Sequence, residues 1–275
     1  MKAIKIPLKW SFLFSMLVFL LWNSHPAQAQ DKTAAGLYNK GLALLKAKNY
    51  EDALPVLEAA VQLADKDQNA KVSNLARKNG ALAAYKVGTT KRKAKEYDAA
   101  NEFFEKGISL NENYYVNYVG KAQVLDAQGK KVEAVKGYLE AASIAEKGKR
   151  PEKAATYSKK AENMVGVAYS KKNWKATLEM GNAFLEKRES ADVHYYLAGA
   201  LKATGKSSTA LEHANQAIKL SEASEADKAK YYMAKAEILE KMKRTNEAVA
   251  TYKKVAGDKY KQQAAYKVKT LSGSK

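Results

Sequence analysis

The sequence predicts an all-α fold in which helical pairs stack into a solenoid. The stretch from Tyr97 to Ala142 reads as three helices separated by two turns, with apolar residues at helical spacing. Within it, the packing positions Ala100 and Ala134 lie 34 residues apart. A helical pair that repeats at this interval is the sequence signature of stacked-repeat proteins. No strand pattern occurs along the chain, so helices alone are expected.

The N-terminus has the pattern of a secretory signal peptide. Lysines at positions 2, 5 and 9 precede the apolar run 12–22, and Ala27 and Ala29 stand at the small-residue positions of an A-x-A cleavage site. We therefore predict a signal peptide at residues 1–29 and a helical repeat domain at residues 30–275. The alternative is an uncleaved membrane anchor, but the apolar run is shorter than the roughly 20 residues that span a bilayer.

Export is the expectation that follows, with the periplasm preferred over release from the cell. The chain has no cysteine, which excludes a lipid anchor of the bacterial lipoprotein kind and any disulfide. Helix packing alone must therefore stabilise the fold. No later stretch approaches membrane-spanning length, so no transmembrane segment is predicted after signal cleavage.

The chain is strongly basic. It has 275 residues, 48 Lys or Arg and 29 Asp or Glu, and a formal charge of +19. Removal of the three signal lysines leaves +16. Such a charge predicts association with anionic partners, namely acidic peptides, phosphate-bearing envelope polymers or anionic lipid surfaces. The alternative is that lysines on exposed helix faces only keep a long solenoid soluble.

The first helical pair begins near Ala34. Its second helix follows the predicted N-cap Asn49 and places Ala53 and Leu57 on its packing face. Pro55 lies inside this second helix, where it removes a backbone donor. We therefore expect either a local kink or a later start of the helix.

The second pair opens with an unusually long helix, over about residues 71–93, that leads into the turn before Tyr97. The equivalent packing positions Ala53 and Ala100 lie 47 residues apart, which is 13 more than the period. Because the extra residues are helix formers, the insertion is expected to extend a helix rather than open a loop.

The fourth pair is irregular. Pro151 suits the first turn of a helix that runs to about Tyr169, and its partner helix follows Trp174 in the turn. The register of that partner stays open, because Ala176 and Thr177 lie 42 and 43 residues after Ala134.

The C-terminal part is regular again. It contains two further pairs and a last helix over about residues 258–271. That helix carries one apolar face, formed by Tyr260, Ala264, Val268 and Leu271, with lysines opposite. A single helix with a polar back is what a solenoid needs to cover its final apolar face.

On these residues the chain resembles the tetratricopeptide repeat family. First helices carry the family's small residue at Gly41, Gly88, Ala122, Ala198 and Ala236, and second helices carry it at Ala53, Ala100, Ala134, Ala210 and Ala248. The turn glycine recurs as Gly129 and Gly205, and the aromatic that closes the turn recurs as Tyr50, Tyr97 and Trp174. The usual closing proline is absent, and lysines replace the usual leucine at positions 40, 121 and 235.

The resemblance implies a right-handed superhelical solenoid of about six repeats with a C-terminal capping helix. Members of the family bind an extended peptide or a partner helix in a concave groove lined by the first helices. Carried over by position, the candidate partner-binding residues are Tyr38, Tyr85, Lys86, Arg92, Lys93, Tyr195, Tyr196 and Lys202. Tyrosine beside Lys or Arg suits acidic groups on a partner. The alternative is that these tyrosines fill gaps between helices.

The sequence offers no chemistry beyond binding. His194 and His213 are the histidines left after signal removal, and neither has a second ligand at helical spacing, so no metal or cofactor is predicted. Hydrolase, zinc-protease and P-loop motifs are absent, so no enzyme is predicted. Basic runs lie near residues 91–95 and 147–153, but export argues against a nucleic-acid partner.

Three functional hypotheses remain open. The first is an exported, non-enzymatic scaffold or adaptor that binds a protein or peptide partner in its groove. The second is an electrostatic binder of an anionic envelope polymer or lipid surface, and the third is an enzyme with an unrecognised site. The first hypothesis predicts that Tyr85→Ala with Tyr195→Ala abolishes partner capture at moderate salt. Homo-oligomerisation through the fourth repeat also stays open.

Overall fold

The computed structural model describes residues 33–222, 228–256 and 258–273. Its regular structure in these residues consists of thirteen α-helices and no strand. Numbered α1 to α13, they are Ala34–Lys46, Tyr50–Lys66, Ala70–Lys93, Tyr97–Leu110, Tyr115–Ala127, Lys131–Lys147, Pro151–Ser170, Trp174–Leu185, Ala191–Ala203, Ser207–Leu220, Ala229–Lys241, Thr245–Tyr252 and Asp258–Ser272. The predicted all-α class is confirmed, whereas the predicted signal peptide lies outside the described residues.

Twelve of the helices form six consecutive hairpins, followed by α13. We call the first helix of each hairpin its A helix and the second its B helix, so the odd-numbered helices α1 to α11 are A helices. The chain divides into two compact units at Asn117, inside α5. Unit 1 holds hairpins α1–α2 and α3–α4, and unit 2 holds the remaining helices. The predicted repeat organisation of about six helical pairs is confirmed.

Every A helix is joined to its B helix by a three-residue link with the same backbone geometry. The middle residue of the link adopts the left-handed conformation, and it is Lys48, Lys95, Gly129, Lys172, Gly205 or Lys243. In the first link, the Lys48 amide donates to the Leu45 carbonyl at 3.0 Å and the Asn49 amide to the Leu44 carbonyl at 2.9 Å. This pair of hydrogen bonds forms a Schellman motif, which satisfies the last carbonyls of the A helix and reverses the direction of the chain.

Small residues allow the two helices of a hairpin to approach closely in unit 1. A Cβ atom on Gly41 would lie 2.6 Å from the Leu57 side chain, and one on Gly88 would lie 2.9 Å from the Phe104 ring. Leu57 and Phe104 are fully buried at these points. The small residues predicted at positions 41 and 88 are therefore required by packing, since any larger side chain would overlap the core.

The long first helix of the second hairpin is confirmed, because α3 has 24 residues and absorbs the insertion. Two other expectations need correction. The later start expected from Pro55 is wrong, since α2 already begins at Tyr50 and the exposed proline lies inside it. Asn49 occupies the N-cap position as predicted, but its side chain donates to Asp52 and makes no capping bond.

The register of the fourth hairpin is resolved in favour of Thr177. Its side chain is fully buried. Ala176 instead lies in the first turn of α8, where its backbone amide donates a hydrogen bond to the side-chain oxygen of the N-cap residue Asn173. The left-handed link residues Gly129 and Lys172 are also 43 residues apart, the interval that Thr177 requires. Trp174, which was expected in the turn, is the first residue of α8.

The C-terminal helix packs as the sequence predicts. Ala264 is buried against the core of the last hairpin, which includes Tyr252. Tyr260, Val268 and Leu271 pack on the same cluster, and the Lys267 ammonium pairs with Glu240 at 2.8 Å. Across the described residues, no helix combines the length and the apolar character that a membrane crossing requires.

Candidate functional site

The A helices of unit 1 form a surface, which we call the A-helix face of unit 1, whose charge is of one sign. Helices α1 and α3 pack against each other and together contain nine Lys or Arg and no Asp or Glu. Their partners α2 and α4 contain two Lys and seven Asp or Glu. The two layers of unit 1 thus separate charge by sign, and the A-helix face is the basic one.

Five of the predicted binding residues lie on this face. Tyr38 and Tyr85 are both half-buried. The Tyr38 hydroxyl accepts a hydrogen bond from the Asn79 amide at 3.2 Å, and the Tyr85 ring is tilted against Phe104 with 6.2 Å between centroids. The Lys86 ammonium lies 5.9 Å from the Tyr85 ring centroid, within the range of a cation–π contact.

Arg92 and Lys93 end α3 without a carboxylate partner. The Nε atom of Arg92 is buried and has no hydrogen-bond partner among the described residues. Lys93 is exposed, and neither side chain forms an ion pair in the part of the chain described. Their neighbour Lys91 differs, because its ammonium lies 3.4 Å from Glu51 and 3.3 Å from Glu96. Lys86, Arg92 and Lys93 are therefore cations with capacity left for an anionic ligand.

The A-helix face of unit 2 is aromatic instead, and it contains the predicted residues Tyr195 and Tyr196. Both are half-buried on α9 and stack with Tyr169 of α7, with centroids 5.6 and 5.2 Å away. Tyr195 also meets Tyr231 of α11 edge-on at 5.8 Å. Four tyrosines from three successive A helices thus form one cluster, an arrangement that stabilises through ring contacts beyond area burial.

Two glycines make room for this cluster. A Cβ atom on Gly199 of α9 would lie 2.5 Å from the Tyr169 ring, and one on Gly166 of α7 would lie 3.0 Å from the Tyr196 hydroxyl oxygen. Tyr169 of α7 therefore lies against Gly199 of α9, and Tyr196 of α9 lies against Gly166 of α7. These contacts agree with the alternative interpretation, in which the tyrosines fill gaps between helices, and partner binding by Tyr195 and Tyr196 stays a prediction.

Several charges on the A-helix face of unit 2 are paired. Asp192 accepts from the Lys230 ammonium at 2.5 Å and from the Tyr231 hydroxyl at 2.8 Å. Burial alone would raise the pKa of Asp192, but these two hydrogen bonds outweigh it and hold the pKa below its ordinary value. Lys159 pairs with Glu162, and the predicted residue Lys202 pairs with Glu237. These three cations already have carboxylate partners, whereas Lys160 of α7 and Lys235 of α11 have none in the described residues.

The two histidines form a contact that the sequence interpretation missed. Their Nδ1 atoms lie 2.8 Å apart across hairpin α9–α10, and the Nε2 atom of His194 lies 2.8 Å from a Glu189 carboxylate oxygen. Burial, and then the neighbouring His194, lower the pKa of His213. The only signal for this contact in the sequence is that each histidine lies two to three helical turns from Gly205, one on either side of the link. No group of three or more metal-binding side chains occurs in the described ranges.

The irregular fourth hairpin leaves a cavity of about 340 Å³ in unit 2. Its apolar lining includes Met164, Val167 and Met180, and Val167 is 52% exposed. Lys160 and Lys171 line the same cavity and have no carboxylate partner in the described part of the chain. Such a pocket can hold an apolar group that carries a negative charge.

Comparisons with known proteins agree with the hairpin description. The family model of the tetratricopeptide repeat matches residues 34–67, 81–114 and 229–257. The first match corresponds to hairpin α1–α2, the second to the later part of α3 with α4, and the third to hairpin α11–α12. No curated protein matches the chain.

Solved structures resemble the chain at low sequence identity. A chain of the APC/C hetero-tetramer Cut9–Hcn1 is 15% identical, with 90% of this chain and 57% of that chain covered and a TM-score of 0.35. PilF of Pseudomonas aeruginosa is 16% identical, with 90% and 100% covered and a TM-score of 0.35. A tetratricopeptide repeat protein of Parabacteroides merdae is 14% identical, with 87% and 98% covered and a TM-score of 0.35. The chain thus spans just over half of the Cut9–Hcn1 chain. The family model of the tetratricopeptide repeat thus matches hairpins in both units of the chain.

Proposed function

We propose that the protein is a non-enzymatic scaffold that binds a partner protein, and that the A-helix face of unit 1 takes an acidic segment of that partner. The observation that carries this proposal is the charge of α1 and α3, which have nine cations and no carboxylate. Repeats of this family form protein-binding surfaces, and charge of one sign on such a surface selects the sign of the ligand.

The side chains on this face suit carboxylate ligands. Lys86, Arg92 and Lys93 lack an acidic neighbour, so an incoming Asp or Glu would not have to displace an existing ion pair. The unsatisfied Nε atom of Arg92 would gain a charge-assisted hydrogen bond, which is stronger than a neutral one. Tyr38 and Tyr85 add half-buried rings against which the apolar parts of a peptide can pack.

A binding measurement with a matched pair of variants tests this proposal. We expect a short fluorescent peptide rich in Asp and Glu to bind at about 0.15 M salt, and its Asn/Gln counterpart not to bind. The triple variant Lys86→Glu, Arg92→Glu and Lys93→Glu should lose at least about 100-fold in affinity, since three favourable contacts become repulsive. The control reverses three exposed lysines elsewhere, at Lys66, Lys187 and Lys219, which changes the net charge equally. If both variants weaken binding alike, the A-helix face is not the site.

The natural partner can be sought in the cell envelope. We place the protein outside the cytoplasm, in the periplasm, on the pattern of residues 1–29, and we expect Gln30 as the first residue of the protein recovered from a periplasmic extract. A protein that starts at Met1 in the cytoplasmic fraction would contradict this placement. In a pull-down from envelope extract, a discrete protein that survives a high-salt wash and is lost with the triple variant would identify the partner.

A further inference from the structure

Positive charge is concentrated in one of the two kinds of link. The six three-residue links between A and B helices contain eight Lys or Arg and one Glu, a formal charge of +7. The described residues of the six links that follow the B helices contain seven Lys or Arg and five Asp or Glu, a formal charge of +2. Because the helices of a hairpin are antiparallel, the two kinds of link lie at opposite edges of each unit. One edge of each unit is therefore basic; the links of the other edge contain only Asp67 and Glu112 as charged residues in unit 1 and charges of both signs in unit 2.

Lysines at the basic edge are not consumed by ion pairs. Nine of them are exposed and have no carboxylate partner in the described residues: Lys46, Lys48, Lys93, Lys95, Lys130, Lys171, Lys172, Lys206 and Lys243. We call these nine residues the lysine edge. They come from the two hairpins of unit 1 and the four hairpins of unit 2. Each of the six hairpins contributes at least one of them.

The backbone of the links makes this pattern informative. Lys48, Lys95, Lys172 and Lys243 have φ between 55 and 64°, a conformation that glycine adopts at far lower cost than lysine. Glycine does occupy the same position in two links, as Gly129 and Gly205. In those two links the next residue is a lysine, Lys130 or Lys206. Every link thus keeps an exposed lysine, and four keep it at a position that disfavours it.

We propose that the lysine edge of each unit is a docking surface for the anionic headgroups of a lipid bilayer. In every hairpin these lysines lie at the end where the A helix is joined to the B helix. A flat, densely charged surface can therefore contact several of them together. Lysine is a mobile point charge without the forked geometry that recognises one ligand shape, and membrane-surface attraction depends on charge density rather than on shape.

The links of this edge expose no large hydrophobic side chain among the described residues, although Val167 of α7, one helical turn before Lys171, is 52% exposed. The large hydrophobic side chains exposed in the described residues are Leu75, Val167 and Tyr266, and none of them belongs to a link. Attraction at the lysine edge is therefore mainly electrostatic, and salt should reverse most of it.

Vesicle binding tests the proposal with a variant that protects the fold. The exported protein, with the N-terminus that the cell leaves, is mixed with vesicles of phosphatidylglycerol and phosphatidylcholine or of phosphatidylcholine alone. We expect binding to the first at low salt, none to the second, and release from the first at about 0.5 M salt. The quadruple variant Lys48→Gly, Lys95→Gly, Lys172→Gly and Lys243→Gly should bind about 100-fold more weakly, because each lysine near an anionic surface contributes up to about fivefold and the four losses multiply.

This variant should melt no lower than the parent, since glycine is favoured at all four positions, so weaker binding cannot be attributed to unfolding. Its matched control removes four exposed lysines from the other edge, by Lys149→Gly and by glutamine at positions 66, 153 and 187, and should bind like the parent. Lys149 shares the left-handed conformation, with φ of 56°.

Three outcomes would overturn the proposal: equal binding by the quadruple variant and the parent, equal loss in the control, or binding that persists at high salt. Failure to bind vesicles with retention on a soluble polyanion would reject the bilayer in favour of a polymer. The acidic-peptide measurement separates this site from the proposed function, since the quadruple variant keeps Lys86, Arg92 and Lys93. Loss of vesicle binding with peptide binding retained supports two sites, and loss of both rejects the separate lysine edge.

Discussion

The two units use the same hairpin but treat its A helices in opposite ways. In unit 1 the A helices carry cations without any carboxylate of their own, and Lys86, Arg92 and Lys93 stay without an acidic partner among the described residues. In unit 2 the A helices place Tyr169, Tyr195 and Tyr196 against one another, and the cations beside this cluster, such as Lys202 and Lys230, have carboxylate partners. The hairpin itself depends on small residues and the link geometry, so the A-helix face is free to vary.

The contrast separates a face that is internally satisfied from one that is open. An ion pair such as Lys230–Asp192 would have to be broken before a ligand could use either partner, and breaking it has a desolvation cost. Lys86, Arg92 and Lys93 of unit 1 require no such step, whereas Arg77 and Lys91 are already paired. We therefore assign binding to unit 1 and stabilisation to the face of unit 2, and the predictions that follow test this division from the largest expected effect to the smallest.

Replacing Tyr169 by alanine should destabilise unit 2 more than any single change on the face of unit 1. The ring contacts Tyr195, Tyr196, Trp174 and Gly199, so its removal leaves a void and should cost about 2–4 kcal/mol. Chemical unfolding followed by Trp174 fluorescence measures this, because Trp174 is the only tryptophan after residue 22 and lies in unit 2.

The matched change in unit 1 is Tyr85→Ala. Its ring contacts Phe104 and the Lys86 ammonium, so we expect a smaller cost of about 1–2 kcal/mol and weaker peptide binding. Hydrogen exchange of α1 to α4 would report the stability of unit 1. Equal destabilisation by the two changes would remove the distinction between a structural and a binding face.

Charge reversal should separate the units by its effect on stability. Glutamate at Lys159, Lys202 and Lys230 replaces three ion pairs by repulsion and should destabilise unit 2 by about 1–3 kcal/mol. Glutamate at Lys86, Arg92 and Lys93 breaks no ion pair, but it removes the Lys86–Tyr85 cation–π contact and puts negative charge at the C-terminus of α3, so unit 1 should lose only about 1 kcal/mol. Thermal unfolding at low and high salt compares the two variants, and a marked loss in the second would show that these cations stabilise unit 1.

The links give a smaller contrast. Both A–B links of unit 1 hold lysine at the left-handed position, whereas unit 2 uses glycine in two of its four links. Lys95→Gly should raise the free energy of unfolding by about 0.5–1 kcal/mol, and Gly129→Ala should lower it by about 1 kcal/mol. A Cβ atom on Gly129 would meet no atom within 4 Å, so its cost would come from the backbone alone. Opposite signs in urea unfolding support this account, and equal signs contradict it.

The sequence predicted the fold well because its signals are local. The period of the small residues placed the hairpins, and the helix-forming character of residues 71–93 predicted the length of α3. Of the two alternatives for Pro55, the later helix start was wrong because a proline can be accommodated on an exposed helix face when the surrounding packing favours the helix, and the local kink stays a prediction. The positions of Tyr38, Tyr85, Tyr195 and Tyr196 followed from the repeat register alone.

The site was less predictable because it depends on distances between helices. The separation of charge between α1 with α3 and α2 with α4 requires accurate helix bounds before it can be seen. The reciprocal fit of Tyr169 on Gly199 and of Tyr196 on Gly166 depends on how two A helices cross. Likewise, the contact of His194 with His213 depends on side-chain directions that sequence spacing does not define.

Mild acid should affect unit 2 alone, and this is the smallest effect we predict. Burial and the adjacent His194 lower the pKa of His213 from its ordinary value of 6.5, with Glu212 and Glu189 acting in the opposite direction. The unfolded chain therefore takes up the proton first, so the stabilising contribution is complete above about pH 6.5 and is lost as the pH falls toward the folded-state pKa. Between about pH 7.5 and 5.5 most carboxylates stay ionised, and the described residues of unit 1 contain no histidine.

Urea unfolding followed by Trp174 fluorescence should show the loss of stability in the parent and a weaker loss in His213→Gln. Equal pH dependence in both proteins would mean that the pair does not sense protons, and an equal change in the exchange of α1 to α4 would mean that the effect is not confined to unit 2.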